Sequence, residues 1–250
     1  MDYNTAPLLA KLSEELRSPL YGIIAHADRL LEGRLEPEQH SHATGIKQST
    51  NALLALVNDV LDYARLEAGQ LSLAESWFSM SELLETMTGI FTLMAQSKGL
   101  SLEAQINPGM PPVFKGDSYR LRQILTSVLG NAVSTAETGS IRITAEWNGQ
   151  IVTFIISDTA PAIHSDDPAS LFDPLVQIDA QKSGGAGSGL GLLICQSLCR
   201  LMGGVSSLSK AGEGRCITIK LPLVPGTEDD LARQLHLPAS FKTRNTRALV

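Results

Sequence analysis

From Leu9 the apolar positions fall at Leu12, Leu16, Leu20, Ile23, Ala27 and Leu30, in steps of three and four that lay one apolar stripe along a helix. The span from Leu9 to Leu30 corresponds to about 33 Å at about 1.5 Å per residue, more than a small core needs, so partner helices are expected. Pro19 removes a backbone donor inside the stripe and crowds the preceding turn, which predicts a bend near Glu15 to Ser18. Gly33, Arg34, Leu35, Glu36 and Pro37 interrupt the pattern, and a second stripe follows at Ile46, Ser49, Leu53, Leu56, Val60 and Ala64. Two such helices make an antiparallel hairpin. A lone hairpin leaves apolar surface uncovered on both stripes, so two copies are expected to pair as a four-helix bundle, a homodimer through residues 5 to 67.

After Gly69 the period changes. Leu71 to Phe78 reads as a short strand, Ser81 to Lys98 as an amphipathic helix and Leu100 to Ile106 as another strand. Asp117 to Ser134 reads as helix, Ile141 to Trp147 and Ile151 to Asp158 as a hairpin about Asn148-Gly149, and Gly189 to Met202 as helix. Val205 to Leu208 and Cys216 to Leu221 complete a sheet, and Gly226 to Val250 is polar and irregular. The expected fold class is α+β, a long helical hairpin followed by a two-layer α/β sandwich.

Composition narrows the function. The 250 residues are 43% hydrophobic, enough for one or two buried cores. No apolar run is long enough to cross a bilayer, and the N-terminal residues lack the basic and apolar regions of a signal peptide, so any membrane connection is expected outside this sequence. A net charge of −6 without a Lys/Arg stripe argues against a nucleic-acid partner. Cys195 and Cys199 lie one helical turn apart in an apolar segment, without the paired spacing of a zinc set, and read as reduced structural thiols. The five histidines are scattered, and His40 and His42, two apart, point to different helix faces.

Several blocks then occur in a fixed order. Ser13-Glu14-Glu15-Leu16-Arg17-Ser18-Pro19-Leu20 resembles the phosphoacceptor box of bacterial sensor histidine kinases, and Asn58 to Gly69 resembles the end of their dimerisation hairpin. Gly116-Asp117 through Asn131-Ala132 resembles their N box, Ser157-Asp158-Thr159 the G1 box, Leu171-Phe172-Asp173-Pro174 the F box and Gly187-Ser188-Gly189-Leu190-Gly191-Leu192 the G2 box. The resemblance covers nearly the whole sequence and, in its departures, is closest to RetS-type hybrid sensor kinases.

The resemblance implies a dimerisation and phosphoacceptor-like hairpin at 1–69 and an ATP-binding-like domain of the gyrase, Hsp90 and histidine-kinase superfamily at 70–225. It implies a linker at 226–250 toward a receiver-like domain, in the cytoplasmic portion of an inner-membrane bacterial sensor kinase. In working members the box histidine attacks the ATP γ-phosphate and the next acidic residue helps take up its proton. Here Glu15 is present, but Glu14 stands where the nucleophile belongs. Glu15 and Ser18 match positions that orient water for dephosphorylating a partner receiver; the bland alternative is a surface carboxylate and a hydroxyl before Pro19.

For ATP and Mg²⁺ the resemblance assigns Asn131 to the metal, Asp158 to the adenine and Gly187, Gly189 and Gly191 to the phosphates at a helix start. The remaining positions depart from the family: Ser127 replaces the first N-box Asn, Ser134 the basic residue after the box, and Ala160 and Ala162 the two G1 glycines. If both G1 positions need left-handed dihedrals, alanine costs roughly 1–2 kcal/mol at each. That is very roughly 30- to 1000-fold in affinity, so ATP binding is expected to be weak or lost. Ser127 also occupies the place of the hydrolytic glutamate of gyrase-type ATPases, which excludes that route of water activation.

The expected function is a degenerate kinase core that cannot autophosphorylate and acts on a partner sensor kinase, of the GacS type by resemblance, through direct binding. The alternative is an active sensor kinase in which Glu14 is an engineered replacement of the histidine. A third reading is a dimeric scaffold that relays a conformational signal along the hairpin.

Overall fold

Helices α1 (Thr5–Glu32) and α2 (Pro37–Glu67) form the hairpin. The structure is a computed structural model that describes residues 5–159, 190–211 and 214–235, in two units, Met1–Leu71 and Ser72–Val250. Within the first, Pro37 opens α2 where a missing N–H costs nothing, and the Gln39 side chain accepts from the Glu36 N–H at 3.1 Å. Leu20, Ala27, Ala43, Thr50 and Leu61 are buried between the helices. The Arg17 guanidinium donates to Asn58 Oδ1 at 2.8 Å, and Lys47 pairs with Asp28 at 2.6 Å, fixing the register of the two helices. Pro19 lies inside α1, which runs on to Glu32. Only part of each apolar stripe is used by the hairpin: Leu16, Ile23, Leu30, Ile46, Leu53, Leu56 and Val60 remain exposed on the unit. The apolar arc is wider than one helix partner can cover.

Among the described residues the second unit contains two sheets and a helical layer. The five-stranded sheet has the order β2 (Ser101–Ile106), β4 (Ser140–Trp147), β5 (Val152–Asp158), β7 (Gly214–Leu221), β6 (Val205–Ala211). Its β2–β4 pair is parallel and the rest antiparallel. A smaller antiparallel sheet has the order β1 (Ser76–Ser79), β3 (Val113–Gly116), β8 (Val224–Gly226). Phe114 of β3 meets Trp147 of β4 edge to face at 5.3 Å, joining the two sheets. Helices α3 (Met80–Ser97), α4 (Ser118–Thr135) and α5 (Leu190–Leu201) form the layer over the larger sheet, with Leu84, Met87, Leu121, Leu125 and Ile194 fully buried.

Several expectations shift at their boundaries. The strand predicted over Leu71 to Phe78 is confined to Ser76–Ser79, because the chain before it is satisfied by a side chain instead of a ladder: the Ala74 N–H donates to Asp117 Oδ2 at 2.9 Å. The same carboxylate caps α4, accepting from Arg120 N at 3.0 Å through Oδ1. Strands β3 and β8 were not expected; each is short and takes its hydrogen bonds from distant partners. The segment after Gly226 is not irregular throughout, since α6 (Glu228–Gln234) forms there. Its Gln234 side chain accepts from the Trp77 N–H at 2.6 Å and donates to the Trp77 carbonyl at 3.1 Å.

Helix α6 is pinned at its start by Asp230, whose Oδ2 accepts from the Thr227 hydroxyl at 2.7 Å and the Thr227 N–H at 2.9 Å. These bonds, the hydroxyl's first, hold the Asp230 carboxyl below its ordinary range. A lowered folded-state pKa contributes stability that is complete above the unfolded value and lost as pH falls through the folded one. Protection of the α6 amides, taken relative to the unstructured exchange rate at the same pH, is therefore expected to fall below about pH 4, and Asp230→Asn should show the lowered protection already at neutral pH.

Cys195 and Cys199 are both buried on α5, as expected of structural thiols, and the hydrogen bond between them, then burial, pushes the Cys195 thiol up. Among the described residues no helix is long and apolar enough to cross a membrane.

Candidate functional site

The phosphoacceptor-like box lies in the middle of α1. Glu14 is a helical position, and Glu15 is exposed, within 3.8 Å of Lys11 one turn earlier. An exposed pair of this kind is worth about 0.3–0.5 kcal/mol and leaves the carboxylate in solvent. Ser18 is exposed as well, while Leu20 turns inward against α2. Arg17, between them, is held by Asn58, so the box is anchored at its centre to the helix that carries the second resembling block.

In the second unit, α4 carries Ser127, Asn131 and Ser134 along its C-terminal half, all three half-buried. Gly191, at the start of α5, backs onto Ser127: a Cβ added there would lie 3.5 Å from the Ser127 Cβ. Helices α4 and α5, which carry the segments resembling the N and G2 boxes, therefore meet at these two positions. The Ser134 hydroxyl is turned back on its own helix, donating to the Asn131 carbonyl at 3.0 Å. A cation does reach this helix end, from a different element: Lys98, just past α3, donates to the Val133 and Ser134 carbonyls, each at 2.9 Å. Gly187, Gly189, Ala160, Ala162 and the F-box residues 171–174 lie outside the described residues.

Asp158 ends β5. The alternation that buries Val152, Phe154 and Ile156 carries Asp158 to the same face. Directly opposite in the antiparallel register stands Arg215, on the face of β7 that also buries Ile217, Ile219 and Leu221. The Arg215 guanidinium donates to Asp158 Oδ1 at 3.2 Å through Nε and to Oδ2 at 2.9 Å through a terminal nitrogen. It also donates to the Thr135 hydroxyl at the end of α4. Arg215 is 6% and Asp158 8% exposed, so this is a desolvated, two-point ion pair. Thr159 secures the strand end, donating its hydroxyl to the Thr138 carbonyl at 2.7 Å.

The sequence singled out Asp158 but not the residues the structure places around it and at the end of α4, Arg215, Thr135 and Lys98. The signal for Arg215 is a charge at an inward position of an alternating strand, in phase with Ile217, Ile219 and Leu221.

Residues 7–69 match the His Kinase A (phospho-acceptor) domain and residues 116–225 the histidine kinase-, DNA gyrase B- and HSP90-like ATPase domain, together more than half of the chain. The sensor histidine kinase RcsC of Escherichia coli is 33% identical over 86% of this chain and 23% of its own length. The hybrid signal transduction histidine kinase B of Dictyostelium discoideum is 34% identical over 88% of this chain and 12% of its own. The crystal structure of full-length ShkA in complex with AMPPNP superposes with a TM-score of 0.74, at 34% identity, over 88% of this chain and 46% of that one. The chain thus spans less than a quarter of the length of these curated relatives. With a phosphoacceptor-type hairpin followed by an ATPase-type sandwich, it belongs to the histidine kinase family and is homologous to the core of hybrid sensor kinases.

Proposed function

We propose that this chain is the kinase core of a hybrid sensor that does not phosphorylate itself and regulates a partner sensor kinase by direct binding. The observation that carries the reading is Glu14 in the segment that resembles the phosphoacceptor box, at the place where that box has its histidine, within the stretch matched by the phospho-acceptor domain. A carboxylate there offers no imidazole to attack a γ-phosphate. The departures at Ser127, Ser134, Ala160 and Ala162 support the same reading, as does the exposed part of the apolar stripes, which a second hairpin would cover. That second hairpin is this chain's own copy through residues 5–67 or that of a partner kinase, and the RetS-like wording of the box favours a GacS-type partner. The working boundaries of the reading are 1–69 for the hairpin and 70–225 for the ATPase-like domain.

ATP and magnesium are implied by the ATPase domain family, and the AMPPNP bound to ShkA supports a nucleotide site in this fold. The residues at hand fit one end of it: Asn131 would hold magnesium, and Gly191 stands at a helix start. At the adenine end they do not fit, because the Asp158 carboxylate is already engaged by Arg215. Exposed Glu15 and Ser18 leave a water-orienting pair available to a partner receiver.

Incubated with γ-labelled ATP and magnesium, the chain is expected to take up no acid-labile phosphate, while lowering autophosphorylation of a GacS-type kinase mixed with it. Phosphohistidine on this chain would overturn the reading, and so would a partner kinase whose rate and elution volume are unchanged by a molar excess of the chain. Glu14→His is expected to remain below about 1% of the phosphate uptake of an active family member, since the nucleotide end is also altered; with each 1.4 kcal/mol worth tenfold, a deficit of about 3 kcal/mol suffices.

A further inference from the structure

We propose that Arg215 is a built-in occupant of the adenine end of the ATPase-like domain, holding the Asp158 carboxylate that a purine amine would otherwise reach. The inference rests on the reading of Asp158 as the adenine-facing residue and deepens it by naming what stands in the base's place.

Four observations converge. The pair is set by the β5–β7 ladder, which places Asp158 and Arg215 directly opposite, so the guanidinium is delivered by the sheet itself. The contact is forked, with Nε on one carboxylate oxygen and a terminal nitrogen on the other. Thr135 receives a further donor and fixes the guanidinium between the end of α4 and the end of β5. Gly214 makes the approach possible, since a Cβ at that position would collide with the Asp158 carbonyl oxygen.

The competition is one-sided on chemical grounds. An exocyclic purine amine is neutral and offers one N–H to a carboxylate oxygen. Arginine offers two charge-assisted N–H groups in a planar fork matched to the carboxylate. Because both side chains are buried, displacing the guanidinium would strand a cation away from water. A base can enter only where that cation is absent, so Arg215 acts as a specificity determinant against adenine nucleotides.

The test is fluorescence titration of the full 250-residue chain with methylanthraniloyl-ADP and magnesium. Arg215→Thr is expected to bind at least tenfold more tightly than the parent chain, and the added change Asp158→Asn is expected to abolish the gain. Methylanthraniloyl-GDP should gain nothing. A Thr variant with an unchanged circular dichroism spectrum and unchanged affinity would overturn the assignment of Arg215 while leaving the weak-nucleotide reading in place. Submicromolar binding by the parent chain would overturn both. If Arg215→Thr fails to fold, Arg215→Gln, which removes the cation and keeps most of the side-chain length, should still bind severalfold more tightly, and no gain there would also overturn the proposal.

Discussion

Asp158→Ala is expected to lower the unfolding free energy of the second unit by about 3–5 kcal/mol, the cost of leaving a buried guanidinium without its carboxylate. Both tryptophans, Trp77 and Trp147, lie in that unit, so urea titration followed by their fluorescence reads its transition. The double change Asp158→Leu with Arg215→Met removes both charges and should recover most of the loss, to within about 1 kcal/mol of the parent, because a buried pair replaced by apolar groups is often neutral. A single Asp158→Ala penalty under about 1 kcal/mol would mean the pair is wet and its hold on the site weak.

Phe154→Ala should cost a similar amount, about 3–5 kcal/mol, for a different reason. Phe154 is fully buried on β5, opposite Ala145 of β4 and Ile219 of β7, two positions before Ile156 and four before Asp158 on the same face. Truncation opens a cavity between sheet and helices that close packing cannot refill. Phe154→Leu keeps most of the volume and is expected to cost less than about 1.5 kcal/mol by the same titration. Equal losses for the two variants would show that the ring is not part of a tightly packed core.

The long elements were legible because their periods are long and consistent. The stripe from Leu9 to Leu30 foretold α1, and the alternation around Asn148-Gly149 foretold β4 and β5 within a residue or two. What escaped was short or non-local. Strand β3 is four residues after Pro111-Pro112, and β8 is three residues that include Pro225, so neither shows enough alternation to register. Helix α6 has no buried residue and therefore no apolar face to detect, only the cap formed by Thr227 and Asp230. The split of each stripe into a face used within the hairpin and a face left open was equally invisible, since Leu20 and Leu16 look alike in sequence and differ only in which helix stands beside them.

At the candidate site, Asn131, Asp158 and Gly191 were singled out by resemblance to the family's boxes, while the residue that engages Asp158 lies 57 positions away and meets it only through strand register. No local pattern around Asp158 carries that information. The inward phase of Arg215 on β7 was present in the sequence, but reading it as a partner for one particular carboxylate requires knowing which strand lies next to β5.

Strand β1 is the outer member of the smaller sheet, and an outer strand with open amide and carbonyl groups is a template for foreign strands. The carboxamide of Gln234 closes that template at Trp77, on both the donor and the acceptor side. The matched ATPase segment ends at residue 225, nine positions earlier. A domain boundary drawn there would remove the cover, and the shortened protein would self-associate through β1 as its concentration rises, even though every residue assigned to the ATPase family was retained.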